Sequence, residues 1–170
     1  HVNITTSNIH IASPTTRNYH AFCEWFENRI KECGGIDVQI LGIGSDGHIA
    51  FNEPTSSLSS RTRLKTLAQP TIDDNARFFE KREDVPIYAI TMGVGTIMEA
   101  RKLVLVANGE HKADAVAKMI EGPVTHMVTA SALQMHPVAK VFIDEPAASN
   151  LRMREYYDWI QSKKPDAPPS

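Results

Sequence analysis

The segment IDVQILGIGSDGHIAFNEP, residues 36–54, decides the fold class, because an apolar strand in it runs directly into a glycine-rich turn. The apolar residues of IDVQILGIG are frequent enough for a strand buried inside a parallel sheet. The residues that follow place Gly42, Gly44 and Gly47 in the order G-x-G-x-x-G, which is the text of a dinucleotide-binding fingerprint. The segment therefore predicts an α/β fold and raises the question of what the turn binds.

The dinucleotide interpretation fails on two counts. The fingerprint needs a helix that opens at its third glycine, but Pro54 follows Gly47 so closely that a long helix would be broken, at a cost of about 3 kcal/mol. The fingerprint also needs an acid about 20 residues further on, where this chain has Lys65 and Thr66. We therefore predict a tight turn at the carboxyl end of a strand, which is where open α/β sheets bind their ligands.

The side chains on this turn predict proton-transfer chemistry. Asp46 and His48 are two residues apart, and Glu53 follows in the same loop. Imidazole titrates near neutrality and can both give and take a proton, while flanking carboxylates would orient the ring. A structural role, with Asp46 capping the turn and His48 as an ordinary buried polar residue, is the alternative. A metal site is disfavoured because no two histidines stand at ligand spacing, and Ser45 lies outside the G-x-S-x-G arrangement of a serine nucleophile.

Length and charge exclude several classes of protein. The 170 residues suffice for one domain with a full core, to which we assign residues 1–162, followed by a flexible polar tail over residues 163–170. The net charge of −2 argues against a nucleic-acid partner, and no apolar run approaches the roughly 20 residues of a membrane span. A local basic cluster of Arg61, Arg63 and Lys65 is interpreted as a solvated face, with a small anionic ligand as the alternative.

The two cysteines favour a reducing compartment. Cys23 and Cys33 lie on one predicted helix, and the rise of that helix separates them by roughly 15 Å, too far for a disulfide. The chain opens on the polar stretch HVNITTSN, which lacks the apolar region of a signal peptide. Both observations predict a cytoplasmic protein.

Strands alternate with helices on both sides of the turn, which predicts a Rossmann-like, mainly parallel sheet flanked by helices. The predicted strands are 36–44, 85–94, 102–108 and 139–144, and residues 2–13 have extended character. The predicted helices are an amphipathic one that is entered at Ser13-Pro14 and ends at Gly34-Gly35, and others over 72–79, 96–100, 109–122 and 147–162. The remainder of residues 51–84 is predicted as loops.

Several quoted stretches together identify a family. GIGSDGHIAFNEPTSSLSSRTRLKTL, NARFF, VPIYAITMGVGTIMEA and DEPA occur in this order, and the chain resembles the glucosamine-6-phosphate deaminase family from about residue 1 to residue 155. The resemblance implies conversion of glucosamine 6-phosphate and water to fructose 6-phosphate and ammonia, with no redox cofactor and no catalytic metal. It also implies that His48 opens the sugar ring, held by Asp46 and Glu53, and that Arg77 and Lys112 bind the substrate phosphate.

The resemblance extends to a regulatory site. Allosteric members of the family bind an acetylated amino-sugar phosphate at positions that match Ser57, Arg63 and Lys65. A C-terminal tyrosine takes part in those members, whereas this sequence has Asp158 at the aligned position and Tyr157 beside it. Allosteric control is therefore an open expectation.

One departure from the family concerns what residues 1–40 lack. The family carries a Ser/Gly/Thr-rich phosphate loop and an aspartate base in a D-E-Y segment upstream of the region matched here, and residues 1–40 resemble neither. We therefore expect a domain truncated at the N-terminus, with little activity alone and with an exposed sheet edge and apolar face.

Two alternatives remain for the function. A 6-phosphogluconolactonase-like hydrolase shares the glycine turn but continues towards S-L-F-P, so Glu53 favours the deaminase. A non-catalytic sugar-phosphate sensor is disfavoured, because a binder does not need Asp46 and His48 together with Glu53. The sequence leaves open whether the amino sugar is glucosamine or galactosamine 6-phosphate, and whether the chain forms a homo-oligomer.

Overall fold

The computed structural model describes residues 3–12 and 16–165. The strands are β1 (Gln39–Leu41), β2 (Arg63–Thr66), β3 (Tyr88–Thr91), β4 (Leu103–Ala107) and β5 (Ala139–Ile143). The α-helices are α1 (Tyr19–Glu32), α2 (Gln69–Asn75), α3 (Val94–Met98), α4 (Ala113–Glu121) and α5 (Arg154–Lys163). Three strands form a parallel sheet in the order β1-β4-β5, and β2 pairs with β3 in a separate antiparallel sheet.

The predicted α/β class with a parallel sheet and helices is confirmed, but the prediction for one strand was incomplete. The strand predicted over 85–94 is β3, and it pairs with β2 instead of joining the parallel sheet. Its partner is RLKT, residues 63–66, which lies in the segment where weak periodicity and many polar residues predict loops. The pairing of β3 with this short, polar strand depends on tertiary contacts, and these cannot be predicted from the strand propensity of the residues alone.

The beginning of the chain also differs from the prediction. Residues 3–12 contain no strand; Thr6–Asn8 form a single turn of 3-10 helix instead. The predicted helix entry at Ser13-Pro14 lies outside the described residues. Helix α1 begins at Tyr19, where the side chain of Asn18 accepts a hydrogen bond from the Ala21 N–H at 3.1 Å and so caps the helix.

The C-terminal part contains one further unpredicted element, a 3-10 helix over Thr129–Met135. Helix α5 starts seven residues later than predicted and ends at Lys163, so it reaches the first residue of the predicted tail. Residues 166–170 of that tail lie outside the described residues. In the part of the chain that the structure describes, no helix is both long and apolar enough to cross a membrane.

The main core lies on one face of the parallel sheet. Leu103 and Leu105 of β4 are fully buried there and pack with Val116 and Met119 of α4. Because side chains alternate along a strand, these residues share one face of the sheet, and α3 together with the 129–135 helix completes the cover. The core therefore fixes β4 as the central strand, with β1 and β5 on either side.

The opposite face of the same sheet is open and apolar. Ile40 of β1, Val106 of β4 and Phe142 of β5 are 71 %, 51 % and 55 % exposed. β1 is also an edge strand, because it pairs only with β4 among the described residues. Within residues 3–12 and 16–165, the expected apolar face and sheet edge are thus both exposed.

A partly buried carboxylate joins α1 to the antiparallel sheet and to α3. The side chain of Glu27 is only 12 % exposed and accepts hydrogen bonds from the Thr62 N–H at 2.8 Å, the Thr62 hydroxyl at 2.5 Å and the Thr96 hydroxyl at 2.6 Å. Arg61 adds an ion pair at 2.5 Å. Burial alone would raise the pKa of Glu27, but the hydrogen bonds from Thr62, Thr96 and Arg61 outweigh it and lower that pKa to about 2.

Both cysteines are free thiols, in agreement with the sequence-based prediction. Cys23 is buried on α1, whereas Cys33 is exposed after its last turn. Burial, together with the negative charge of Glu27, raises the pKa of the Cys23 thiol. Cys23 therefore acts as a small apolar residue of the helix interface.

Candidate active site

The glycine turn after β1 is shaped around His48. A Cβ atom on Gly44 would overlap the imidazole ring of His48, so only glycine fits there. Gly47 has φ +89°, in the left-handed region that favours glycine. Two backbone hydrogen bonds close the turn, from the Gly44 N–H to the His48 carbonyl at 2.8 Å and from the Gly47 N–H to the Gly44 carbonyl at 3.0 Å. Gly44 therefore makes room for the histidine ring, and Gly47 supplies the left-handed conformation of the turn.

Asp46 holds His48 at two points. One oxygen of its carboxylate accepts a hydrogen bond from the His48 backbone N–H at 3.0 Å and lies 2.6 Å from Nδ1 of the ring. Because an ionised carboxylate is only an acceptor, this contact places the proton on Nδ1 in the neutral ring. Nε2 then carries the lone pair, and it has no hydrogen-bond partner among the described residues. The pair is thus arranged to exchange a proton through Nε2.

The topology of the sheet brings Lys112 to the same edge. β1 and β4 are parallel neighbours, so the turn after β1 and the loop after β4 meet at the carboxyl ends of the strands. In that loop Gly109 has φ +87°, and its N–H donates to both carboxylate oxygens of Asp144, at 3.0 Å each. Asp144, which follows β5, therefore anchors the loop that leads to Lys112 at the start of α4.

Arg77 reaches this edge from α2 and the 3-10 turn Ala76–Phe78 that follows it. Its guanidinium lies 4.8 Å from the centre of the Phe78 ring, a cation–π contact. A cavity of about 300 Å³ brings together His48, Arg77 and Lys112. The remaining residues that line it are Gly42, Ile43, Gly44, Ala50, Phe51, Thr71, Asp74 and Asn75. Two cationic side chains and an imidazole thus share one small cavity.

Comparison with known proteins decides the family. A family model described as glucosamine-6-phosphate isomerases/6-phosphogluconolactonase matches residues 1–147. The chain belongs to this family. The chain is 55 % identical to a glucosamine-6-phosphate deaminase of Hahella chejuensis over 96 % of its own length, and 54 % identical to one of Cutibacterium acnes over 94 %.

The relatives are longer than this chain. The aligned regions cover 62 % of the Hahella chejuensis deaminase and 61 % of the Cutibacterium acnes deaminase, so the chain spans about three fifths of their length. A solved monomeric glucosamine-6-phosphate deaminase superposes with a TM-score of 0.78 at 41 % identity, over 80 % of this chain and 56 % of that one. A 6-phosphogluconolactonase from Trypanosoma cruzi, 20 % identical with a TM-score of 0.59, shares the fold over 78 % of this chain and 52 % of that one.

Among the described residues, the hydrogen bonds of Glu53 go to the backbone of Ala68 and not to His48. Its carboxylate is buried, and both oxygens accept hydrogen bonds from the Ala68 N–H, at 2.8 and 3.0 Å. Ala68 is the residue before the first turn of α2, so Glu53 supplies a negative charge at the N-terminus of that helix. Glu53 therefore ties the glycine turn to α2, and through α2 to the segment with Arg77.

The three residues that the sequence suggested for regulation are not gathered in one described cavity. Arg63 and Lys65 lie on the same face of β2, whereas the Ser57 hydroxyl is paired with the Ser59 hydroxyl at 3.0 Å. Arg63 lines a cavity of about 740 Å³ between α1 and β2 and donates to the Asn52 side-chain oxygen at 2.9 Å. Burial lowers the pKa of Arg63.

Sequence reasoning missed the residues that complete the cavity. Asp74 and Asn75 line it beside Arg77. Asn75 is the first residue of the NARFF stretch and Asp74 directly precedes it, which was the only signal for them. Ala50 also lines it and has φ +50°, an unusual conformation for a residue with a side chain. Within residues 3–12 and 16–165, no three or more His, Cys, Asp and Glu side chains are close enough together to hold a metal ion.

Proposed function

We propose that this chain supplies the ring-opening and phosphate-binding part of an enzyme that converts glucosamine 6-phosphate and water to fructose 6-phosphate and ammonia. One observation carries the proposal: the Asp46–His48 pair opens onto the same cavity of about 300 Å³ as Arg77 and Lys112. The deaminase relatives at 54–55 % identity support the choice of reaction. The proposed setting is the cytoplasm, with an amino-sugar phosphate as the small-molecule partner.

His48 is the proposed proton carrier for opening of the sugar ring. The pyranose opens when the ring oxygen gains a proton and the hydroxyl on C1 loses one. An imidazole with Nδ1 held by Asp46 and Nε2 free can take a proton and return it within one turnover. Asp46 accepts a hydrogen bond from Nδ1 at 2.6 Å and so holds the ring in this tautomer and orientation.

Arg77 and Lys112 are the proposed anchors of the phosphate. A guanidinium pairs with two phosphate oxygens at once, and an ammonium adds a point charge. Lys112 also precedes the first turn of α4, whose free N–H groups and helix dipole favour an anion. Anchoring the phosphate at this end would leave the sugar ring beside His48.

Glu53 and the regulatory residues have separate proposed roles. In the arrangement of this structure, Glu53 keeps α2 against the catalytic turn through Ala68. Ser57, Arg63 and Lys65 remain candidates for a regulatory anion site, and a homo-oligomer remains compatible with the exposed apolar face.

The proposed activity needs more than these residues. The relatives extend well beyond the matched region, and Ile40, Val106 and Phe142 present an uncovered apolar face on the sheet that carries the site. We propose that further chain covers this face and contributes the base that moves a proton between C1 and C2 of the opened sugar. The 170-residue chain alone would then turn over little substrate.

The test is turnover by the full-length protein that carries this chain. Purified protein is given glucosamine 6-phosphate, and both ammonia and fructose 6-phosphate are measured. We expect equal amounts of the two products, and a fall in kcat of about 10²- to 10⁴-fold for His48→Gln, as for loss of a general acid–base group. His20→Gln is the matched control, since His20 is an exposed histidine on α1 away from the cavity.

The same preparation separates the alternatives. Hydrolysis of 6-phosphogluconolactone without ammonia release from the amino sugar would establish the lactonase instead. Tight binding of glucosamine 6-phosphate without turnover, unchanged by His48→Gln, would establish the sensor. Full activity of His48→Gln would refute the assigned role of the histidine.

A further inference from the structure

The glycine turn that carries His48 is hydrogen-bonded to residues 126–130, a segment for which the sequence analysis proposed no role. In residues 126–130, the His126 carbonyl accepts a hydrogen bond from the Thr55 N–H at 2.9 Å, and the Ala130 N–H donates to the Gly47 carbonyl at 3.0 Å. The side chain of Val128 occupies the space in which a Cβ on Gly47 would lie. These contacts surround one fully buried side chain, Thr129.

Thr129 spans the turn with a single hydroxyl group. Its oxygen accepts a hydrogen bond from the Ile49 N–H at 3.2 Å and donates its proton to the Asn52 carbonyl at 2.7 Å. The Ile49 N–H belongs to the peptide group that follows His48, and the Asn52 carbonyl belongs to the one that precedes Glu53. One hydroxyl therefore fixes the backbone immediately after His48 and immediately before Glu53.

Asn52 extends this arrangement to β3. It is fully buried, and its side-chain amide donates to the Ile49 carbonyl at 3.1 Å and to the Met92 carbonyl, just after β3, at 2.8 Å. The backbone of residues 49–52 is thus held by hydrogen bonds from two side chains, the amide of Asn52 and the hydroxyl of Thr129. Removal of the hydroxyl would take away both of these hydrogen bonds and leave the Ile49 N–H and the Asn52 carbonyl buried without the partner that they have now. The backbone of the turn would then shift so that these two groups find other hydrogen-bond partners.

We infer that Thr129 is a positioning residue: its hydroxyl sets the direction from which His48 meets the substrate. The inference rests on the proposed function of His48. Thr129 does not line the cavity, so it acts only through the turn. The phosphate anchors Arg77 and Lys112 belong to other elements and are expected to stay in place.

The kinetic test compares two substitutions at this position in the full-length protein. Thr129→Val keeps the shape and removes the hydroxyl, whereas Thr129→Ser keeps the hydroxyl. We expect Thr129→Val to lower kcat roughly tenfold to a hundredfold, the range for a small misplacement of a catalytic group, with KM changed less than about threefold. Thr129→Ser should restore kcat to within about threefold of the parent.

Thr96→Val is the matched control. Thr96 is equally buried and also loses one hydroxyl, but its hydrogen bond goes to Glu27, away from the turn. Both valine variants should lose stability, whereas only Thr129→Val should change kcat. An equal fall of kcat in the two valine variants, or no rescue by serine, would overturn the positioning role.

Nuclear magnetic resonance supplies readouts that do not depend on turnover. Thr129→Val should speed amide hydrogen exchange at Ile49 and should shift the Nδ1–H resonance of His48, which reports the hydrogen bond to Asp46. Thr129→Ser and Thr96→Val should leave both signals near those of the parent. If the parent releases no ammonia but these shifts occur, the proposed function fails while the positioning contact stands; if Thr129→Val changes neither signal, the positioning contact is refuted.

Discussion

Replacement of Glu27 by glutamine tests how much one partly buried carboxylate contributes to this fold. The pKa of Glu27 falls from 4.5 to about 2 on folding, because hydrogen bonds from Thr62, Thr96 and Arg61 outweigh the effect of burial. At 1.36 kcal/mol per pKa unit, this difference corresponds to about 3 kcal/mol of stability. The side chain is 12 % exposed but the residue as a whole is only partly buried, so solvent screens part of this effect. We therefore expect Glu27→Gln to lower the free energy of unfolding by about 1–3 kcal/mol at pH 7.

The stabilisation by Glu27 should decrease as the pH falls, because its pKa is lower in the folded than in the unfolded chain. The folded state holds the carboxylate ionised down to about pH 2, whereas the unfolded chain takes up the proton near pH 4.5. The stabilisation is therefore complete above about pH 4.5 and is lost as the pH falls towards 2, with roughly half remaining at pH 3. The difference between parent and Glu27→Gln should shrink accordingly.

Urea denaturation of the full-length protein at pH 7, 5 and 3 measures this difference directly. Glu99→Gln is the control, because Glu99 also pairs with Arg61 at 2.5 Å but its side chain is 66 % exposed. We expect Glu99→Gln to cost less than about 1 kcal/mol at every pH. A Glu27→Gln effect below about 0.5 kcal/mol at pH 7, or one that stays constant down to pH 3, would refute the reasoning.

Three further substitutions probe the site and the sheet. Gly44→Ala should lower kcat roughly a hundredfold, because the new methyl group displaces the His48 ring; normal kcat would contradict the turn geometry. Lys112→Met should raise KM for the sugar phosphate about tenfold to a hundredfold, whereas Lys118→Met, whose lysine pairs with Asp114, should not. Phe142→Lys should cost the full-length protein more than about 2 kcal/mol in urea denaturation if further chain covers the outer sheet face; a change under about 0.5 kcal/mol would show that the face is free.

The parts of the site that follow from local chemistry could be predicted from the sequence. The position of the turn after an apolar strand, and the contact between Asp46 and His48, both follow from residues that are close in the chain. The predicted burial of that strand was wrong, because β1 is an edge strand among the described residues and its Ile40 is 71 % exposed. The rule that parallel strands meet at their carboxyl ends also explains why Lys112, after β4, lies near the turn after β1.

The parts that depend on distant contacts could not be predicted. Glu27 stands on an amphipathic helix in a sequence typical of a solvated charge, and only the folded chain places it against Thr62 and Thr96. The hydroxyl of Thr129 has no local pattern that distinguishes it from any other buried threonine. The strand β2 is likewise short and polar, so its pairing with β3 depends on packing and not on propensity.

The parallel pairing of β1 with β4 also has a consequence for the order of folding. The two strands are about 60 residues apart in the chain, so their association closes a long loop. The conformational entropy of that loop is lost before the contacts between the strands can compensate for it. His48 and Lys112 become neighbours only after that step. Under the proposed function, a partly folded chain with intact helices would therefore not bind sugar phosphate, and protection by that ligand during refolding would report the arrival of β1 beside β4.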